Sequence, residues 1–166
     1  MVRVIDCPTH CQKGTNWVAN LCIFNCIILH FSIAKYTKAL GDDLYFLTES
    51  FHRKNNIYNG KYSMADFITP KALHILQQKE KVRLIFEHMV PKNLYLNMLV
   101  EKAKQGNLTY TEIYNVLMKY YYTCTVTKDE DNLLPSTKMQ DGWDGQNPFF
   151  RYQLAGINFI ENPKSY

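Results

Sequence analysis

Two threonine–glutamate pairs, Thr109/Glu112 and Thr127/Glu130, stand on either side of the run Tyr121–Thr127, Tyr-Tyr-Thr-Cys-Thr-Val-Thr. A threonine three residues before a glutamate is a capping box. The hydroxyl accepts the amide of the third helical residue, and the carboxylate reaches back to the cap amide. The first pair therefore opens a helix whose apolar face is Ile113, Val116, Leu117 and Tyr120. The second opens a short helix toward Leu134. The segment between them is β-branched and aromatic, which suits a pleated surface and predicts a strand. Helix, strand and helix within thirty residues limit the chain to folds that mix both elements.

Other local signals extend this pattern. Trp17, Leu21, Phe24, Ile28 and Phe31 recur at helical spacing from Trp17 to about Leu40. Gly41-Asp42-Asp43 is a candidate break in that helix, or only a kink, since Leu40, Leu44, Leu47 and Phe51 continue its spacing. Phe51 to Tyr62 is polar enough to predict a surface loop. Thr69-Pro70 predicts a helix start, with threonine as cap and proline in the first turn. Lys81–Glu87 suits strand or helix, strand being favoured because Pro91 stops it and a helix over about Lys92–Lys104, ending at Gly106, fits behind it. Asp141-Gly142 and Asp144-Gly145 mark turns before a strand expected at Phe149–Leu154. The expected class is α+β in a single domain, with a helical N-terminal half and a mixed C-terminal half. Residues 1–16 are expected to form a loosely packed N-terminal arm.

Composition restricts function less than it restricts fold. The chain of 166 residues is 46% hydrophobic and 20% charged, with 12 Tyr and 9 Phe, enough for a packed core. The net charge of +4 is unevenly spread. Residues 35–104 hold twelve Lys and Arg against seven Asp and Glu, whereas 105–166 hold five against seven. The basic middle is where a phosphate-facing surface is expected. There Arg53, Lys54 and Lys61 interleave with Phe51, Tyr58 and Tyr62, a mixture suited to single-stranded DNA or RNA. The same loop suits a protein partner, because Tyr and Arg dominate interaction hot spots. Lys92 and Arg151 are candidate further phosphate contacts.

The cysteines are five, an odd number. Cys7, Cys11, Cys22 and Cys26 form two CxxxC pairs with His10 and His30 nearby, and a zinc site there is feasible in spacing. CxxC is the usual knuckle, and Cys22 and Cys26 lie in an apolar segment, so buried or free thiols are the favoured reading. Residence in the cytoplasm is the default that follows. The apolar run 17–34 is interrupted by Asn20, Asn25, His30 and Ser32. It predicts a buried core helix and no membrane partner. Nucleotide-dependent enzymes and the common hydrolases are argued against, since the sequence carries no glycine-rich phosphate loop, nucleophile elbow or HExxH.

One stretch carries candidate chemistry: Arg83-Leu-Ile-Phe-Glu87-His88-Met89-Val90-Pro91. The string Glu87-His88-Met89-Val90-Pro91 resembles the strand-end motif of HNH (His-Me finger) endonucleases. That resemblance implies His88 as general base toward water and Glu87 as ligand to one Mg²⁺ or Mn²⁺, with the metal stabilising the leaving oxygen. Asp129, Glu130 and Asp131 form the densest acidic cluster and are candidate further ligands. The alternative is helix capping, in which acids in the first turn complement the helix dipole. Asn93 and Asn97 are the candidate polar residues on the following helix. Arg83 and His88 also have the R-x4-H spacing of the all-helical HEPN ribonucleases, where both side chains would act on the RNA phosphate without a metal. Against these nuclease readings stands a histidine at a strand end, bonded to Glu87 or backbone, in a non-enzymatic interaction protein of mobile-element or phage type that binds a host protein complex.

Overall fold

A computed structural model describes residues 37–166. The elements are α1 (Thr37–Lys54), a 3-10 turn (Lys61–Met64), β1 (Phe67–Ile68), α2 (Pro70–Gln77), β2 (Ile85–His88), α3 (Lys92–Lys104), α4 (Tyr110–Tyr120), β3 (Thr123–Val126), α5 (Lys128–Asn132), α6 (Phe150–Leu154) and β4 (Ile160–Glu161). The fold is α+β. The four strands form one mixed sheet in the order β2-β3-β1-β4. β3 pairs antiparallel with β2 and parallel with β1, while β4 closes the other edge antiparallel to β1.

The caps decide where the helices begin. Thr69 Oγ1 accepts the Ala72 amide at 3.3 Å, with Pro70 in the first position of α2. Both halves of the Thr127/Glu130 box form. At Thr109 only the hydroxyl half forms, accepting the Glu112 amide at 3.2 Å. The Glu112 carboxylate turns instead to Lys102 of α3, at 2.8 Å, and so ties α4 to its neighbour. Gly106, at φ 70°, adopts the left-handed conformation that ends α3, which a side chain would resist.

β3 is buried at all four positions; Cys124 and Val126 supply its apolar face, and the hydroxyls of Thr123 and Thr125 on the other are bonded to the Asp66 carboxylate and to Tyr62 O. On one side, Leu44 of α1 packs with Tyr95, Leu96 and Leu99 of α3 and with Ile113, Val116 and Leu117 of α4. Cys124 and Val126 of β3 cluster with Met89, Leu134, Tyr152 and Ile157. Ile68, Ala72 and Leu84 form a smaller group where β1 and α2 meet.

Several local expectations are corrected. α1 runs without a break through Gly41-Asp42-Asp43 to Lys54, so the first four residues of the expected 51–62 loop are helical. Gly41 is useful there, because the Lys92 side chain lies against it: a Cβ would sit 2.6 Å from Lys92 Nζ. The strand expected from Lys81 starts only at Ile85. The strand expected at Phe149–Leu154 is helix α6. Packing overrides β propensity at this point, because the helix buries adjacent Arg151 and Tyr152 together. Residues 17–36 of the helix expected from Trp17 to about Leu40, the N-terminal arm and the four cysteines of the zinc reading lie outside the described residues.

Candidate functional site

β2 ends at His88, and Pro91 leads directly into α3. Glu87 and His88, consecutive on a strand, face different surroundings. Glu87 Oε1 accepts from Arg151 Nη2 at 2.9 Å. Arg151 is fully buried and also donates to the carbonyls of Met89 (3.1 Å), His88 and Pro135. Its guanidinium therefore joins the end of β2, the loop after α5, and α6. The expectation that Arg151 meets a phosphate at the surface is corrected, since no solvent reaches it. The second carboxylate oxygen of Glu87 is buried without a partner. Desolvation pushes the Glu87 carboxyl up to about 7, against the pull of Arg151 and with a smaller push from Asp131.

His88 lies among aromatics: its ring centroid is 5.6 Å from that of Tyr121, 6.1 Å from Phe86 and 6.2 Å from Tyr95. Its Nδ1 shares a hydrogen bond with the Tyr95 hydroxyl at 3.1 Å. Burial, reinforced by Lys92 and Arg151, holds its pKa down at about 4. Burial likewise raises the neighbouring phenols, Tyr121 to about 12 and Tyr95 further. Tyr121 shares a 3.1 Å hydrogen bond with Thr48, whose hydroxyl donates to Leu44 O, linking this group to α1. A base whose conjugate acid titrates near 4 accepts a proton from water poorly at neutral pH. A carboxylate already held by a guanidinium is a poor seat for a divalent cation.

The acidic cluster is spent on structure. Glu130 Oε2 accepts from the Thr127 amide (2.9 Å), the Thr127 hydroxyl (3.0 Å) and the Thr69 hydroxyl of the α2 cap (2.8 Å). Asp131 pairs with Lys128 at 2.7 Å, and Asp129 is exposed in the same first turn. Glu87, Asp129 and Glu130 are not gathered into a ligand set: among the described residues no group of three or more His, Cys, Asp or Glu could hold a metal ion. Asn93 donates to Thr137 O at 2.9 Å, and Asn97 is exposed. Arg83 is exposed ahead of a strand rather than on a helix, so it shares no helical face with His88.

The structure assembles a different feature on the surface. The Tyr62 hydroxyl donates to Leu84 O at 2.9 Å, and Lys61 Nζ lies 5.9 Å from the Phe86 ring centroid. These contacts bring Lys61 and Tyr62, at the end of the 53–62 segment, alongside Leu84 and Phe86. Arg53, Lys54, Lys61, Lys79, Lys81 and Arg83 are all exposed, and Glu80 is the one acid in the two segments. Ile57 and Val82 are exposed in the same two segments. Arg53 stacks over Tyr58, its guanidinium carbon 3.9 Å from the ring centroid. His52, by contrast, points inward, with Nδ1 unpartnered and its pKa lowered to about 4 by burial and by Lys164. Sequence reasoning found 53–62 but missed 79–83, because contact between segments separated by β1 and α2 is a tertiary fact. The pairing of Arg53 with Glu49 was discoverable from their four-residue spacing once α1 is extended to Lys54.

The buried histidine sets a pH dependence. A histidine held near 4 when folded and titrating near 6.5 when unfolded contributes stability that is complete above pH 6.5. That contribution is lost as pH falls through 4. His52→Leu cannot lose it, so urea midpoints should shift in favour of the variant between pH 6.5 and pH 4, by on the order of 1 kcal/mol. A pH-independent difference between the two proteins would show that His52 titrates normally.

No protein-family model matches the sequence, and neither does any curated protein or solved structure.

Proposed function

We propose that this protein binds nucleic acid through the face formed by residues 53–62 and 79–86, and that it acts by binding rather than by phosphodiester cleavage. The observation that carries the reading is the contact of Lys61 and Tyr62 with Leu84 and Phe86, which joins two segments that together hold six exposed cations, one acid and interleaved aromatic and aliphatic side chains. Clustered Lys and Arg side chains displace condensed counterions from a phosphate backbone, and apolar neighbours take up the bases. Against cleavage stand the engagements of the two residues a nuclease would use. Glu87 is clasped by Arg151, and His88 is a poor base hydrogen-bonded to a buried tyrosine.

The test is fluorescence anisotropy with labelled oligonucleotides across a salt series. The combined variant Lys54→Gln, Lys61→Gln, Arg83→Gln should bind at least tenfold more weakly at low salt. The slope of log affinity against log salt should fall by about 2, from about 0.7 released counterions per lost contact on a single strand. Undiminished binding by this variant would defeat the assignment of the face. Cleavage in Mg²⁺ or Mn²⁺ that vanishes in a folded His88→Ala would reinstate the nuclease.

A further inference from the structure

Arg53 is the cation in this face whose charge is already answered. Glu49, one turn earlier on α1, accepts from both Nε (2.8 Å) and Nη2 (2.6 Å) of Arg53. Two bonds converging on one carboxylate oxygen fix the guanidinium plane and cancel much of its field, so Arg53 adds little to the attraction of a distant phosphate. Tyr58 backs one side of the guanidinium. The Arg53 side chain nevertheless keeps 58% of its surface exposed. What it offers outward is a flat, weakly hydrated, immobilised plane. Guanidinium planes of this kind stack on unpaired nucleobases, which a point-charge ammonium cannot do.

The supporting loop is built to hold that plane still. The Ile57 amide donates back to His52 O at 3.0 Å and the Asn56 amide to Arg53 O at 3.1 Å, while Asn56 takes the left-handed conformation at φ 56°. This is the Schellman closure of a helix C-terminus, and it turns the chain so that Tyr58 comes back beneath Arg53. Asn55 Nδ2 donates to Phe51 O at 2.8 Å. Beyond Tyr58, the Asn59 amide donates to Ser63 Oγ, and Ser63 Oγ to Gly60 O, each at 2.8 Å. The stack is thus bonded on both sides before any ligand arrives, which reduces the ordering cost of binding. Lys54 and Lys61, on either side of the stack in sequence, are exposed charges available to phosphates.

From this geometry we infer that Arg53, clamped by Glu49 and backed by Tyr58, is a stacking platform for an unpaired base, so that the ligand class is single-stranded rather than duplex nucleic acid. The inference rests on the nucleic-acid reading above and assigns Arg53 a role other than phosphate neutralisation. A duplex keeps its base faces covered and offers nothing to this plane.

The experiment compares a short unstructured oligonucleotide with the same sequence as a duplex, titrated against the full chain. Wild type is expected to prefer the single strand. Arg53→Lys keeps the charge and removes the plane, and should lower single-strand affinity about tenfold with the salt slope unchanged and duplex affinity unmoved. Tyr58→Leu should do the same, whereas Tyr58→Phe, which retains the ring, should bind like wild type. Circular dichroism confirms that each variant is folded. Wild-type affinity in Arg53→Lys, equal wild-type affinity for duplex and single strand, or a loss accompanied by a slope reduced by about one counterion overturns the platform. Absence of any wild-type binding overturns the nucleic-acid reading itself, a separate result.

Discussion

Replacing Arg151 with alanine should cost about 3–5 kcal/mol of unfolding free energy, measured as a drop in urea midpoint at constant slope. The expectation follows from what the guanidinium holds. It is fully buried, and its acceptors are the Glu87 carboxylate and the carbonyls of His88, Met89 and Pro135. Removing it strands Glu87, whose other oxygen already has no partner, and leaves buried carbonyls unmet. Marginal stability of about 5–15 kcal/mol makes such a loss severe. Arg151→Lys should recover only part of it, because one ammonium cannot reach acceptors spread around a planar fork. The double variant Arg151→Met, Glu87→Gln should be more stable than Arg151→Ala alone, since the stranded charge is removed with its partner. A loss below about 1 kcal/mol for Arg151→Ala would show that this buried pair is not what joins β2 to α6.

Glu130→Ala should cost about 3 kcal/mol by the same measurement, from the lost cap of α5 and from buried donors left without an acceptor. One oxygen takes three hydrogen bonds, two from Thr127 and one from Thr69. The last crosses from α5 to the start of α2, and Thr69 is wholly buried. Glu130→Gln keeps an acceptor oxygen in place and should cost about 1 kcal/mol, the difference between a charged and a neutral hydrogen bond. Neither loss should depend on added Mg²⁺, whereas a metal ligand would show its effect only with the ion present. A loss that appears only with Mg²⁺ would return Glu130 to the metal-binding role that the acidic cluster allows.

Glu130 also shows why residue type and residue use came apart. Thr127-x-x-Glu130 is legible as a capping box because both halves lie within four residues. The bond from Thr69 is not legible, because its partners are 61 residues apart. The same division separates α3, whose limits at Lys92 and Lys104 follow from Pro91 and Gly106, from β1 and β4. Those strands are two residues long and carry no periodicity to read. They exist because the sheet supplies partners: β1 pairs with β3 and β4 with β1, and the Asn162 amide just beyond β4 donates to Asp66 O at 2.9 Å. Phe149–Leu154 resembled a strand by composition and became a helix, because burying Arg151 beside the end of β2 outweighs a local preference of under about 1 kcal/mol.

The candidate site divides along the same line. His88 at the end of β2, just before Pro91, could be placed from the sequence, as could the basic character of residues 53–62. Whether His88 could act as a base, whether Arg151 could touch a phosphate and whether Arg53 is a free charge could not. Each depends on burial, on a group distant in the chain or on how far a helix extends: His88 on its desolvation among Tyr121, Phe86 and Tyr95, Arg151 on Glu87, and Arg53 on Glu49.

By itself the sequence determined the α+β class, most helix starts and the basic middle of the chain, because caps, turns and charge density act over a few residues. Only the tertiary structure decided which charges are buried and which face outward. Desolvation and pairing are set by neighbours in space, and their several kcal/mol exceed any local preference that the chain carries.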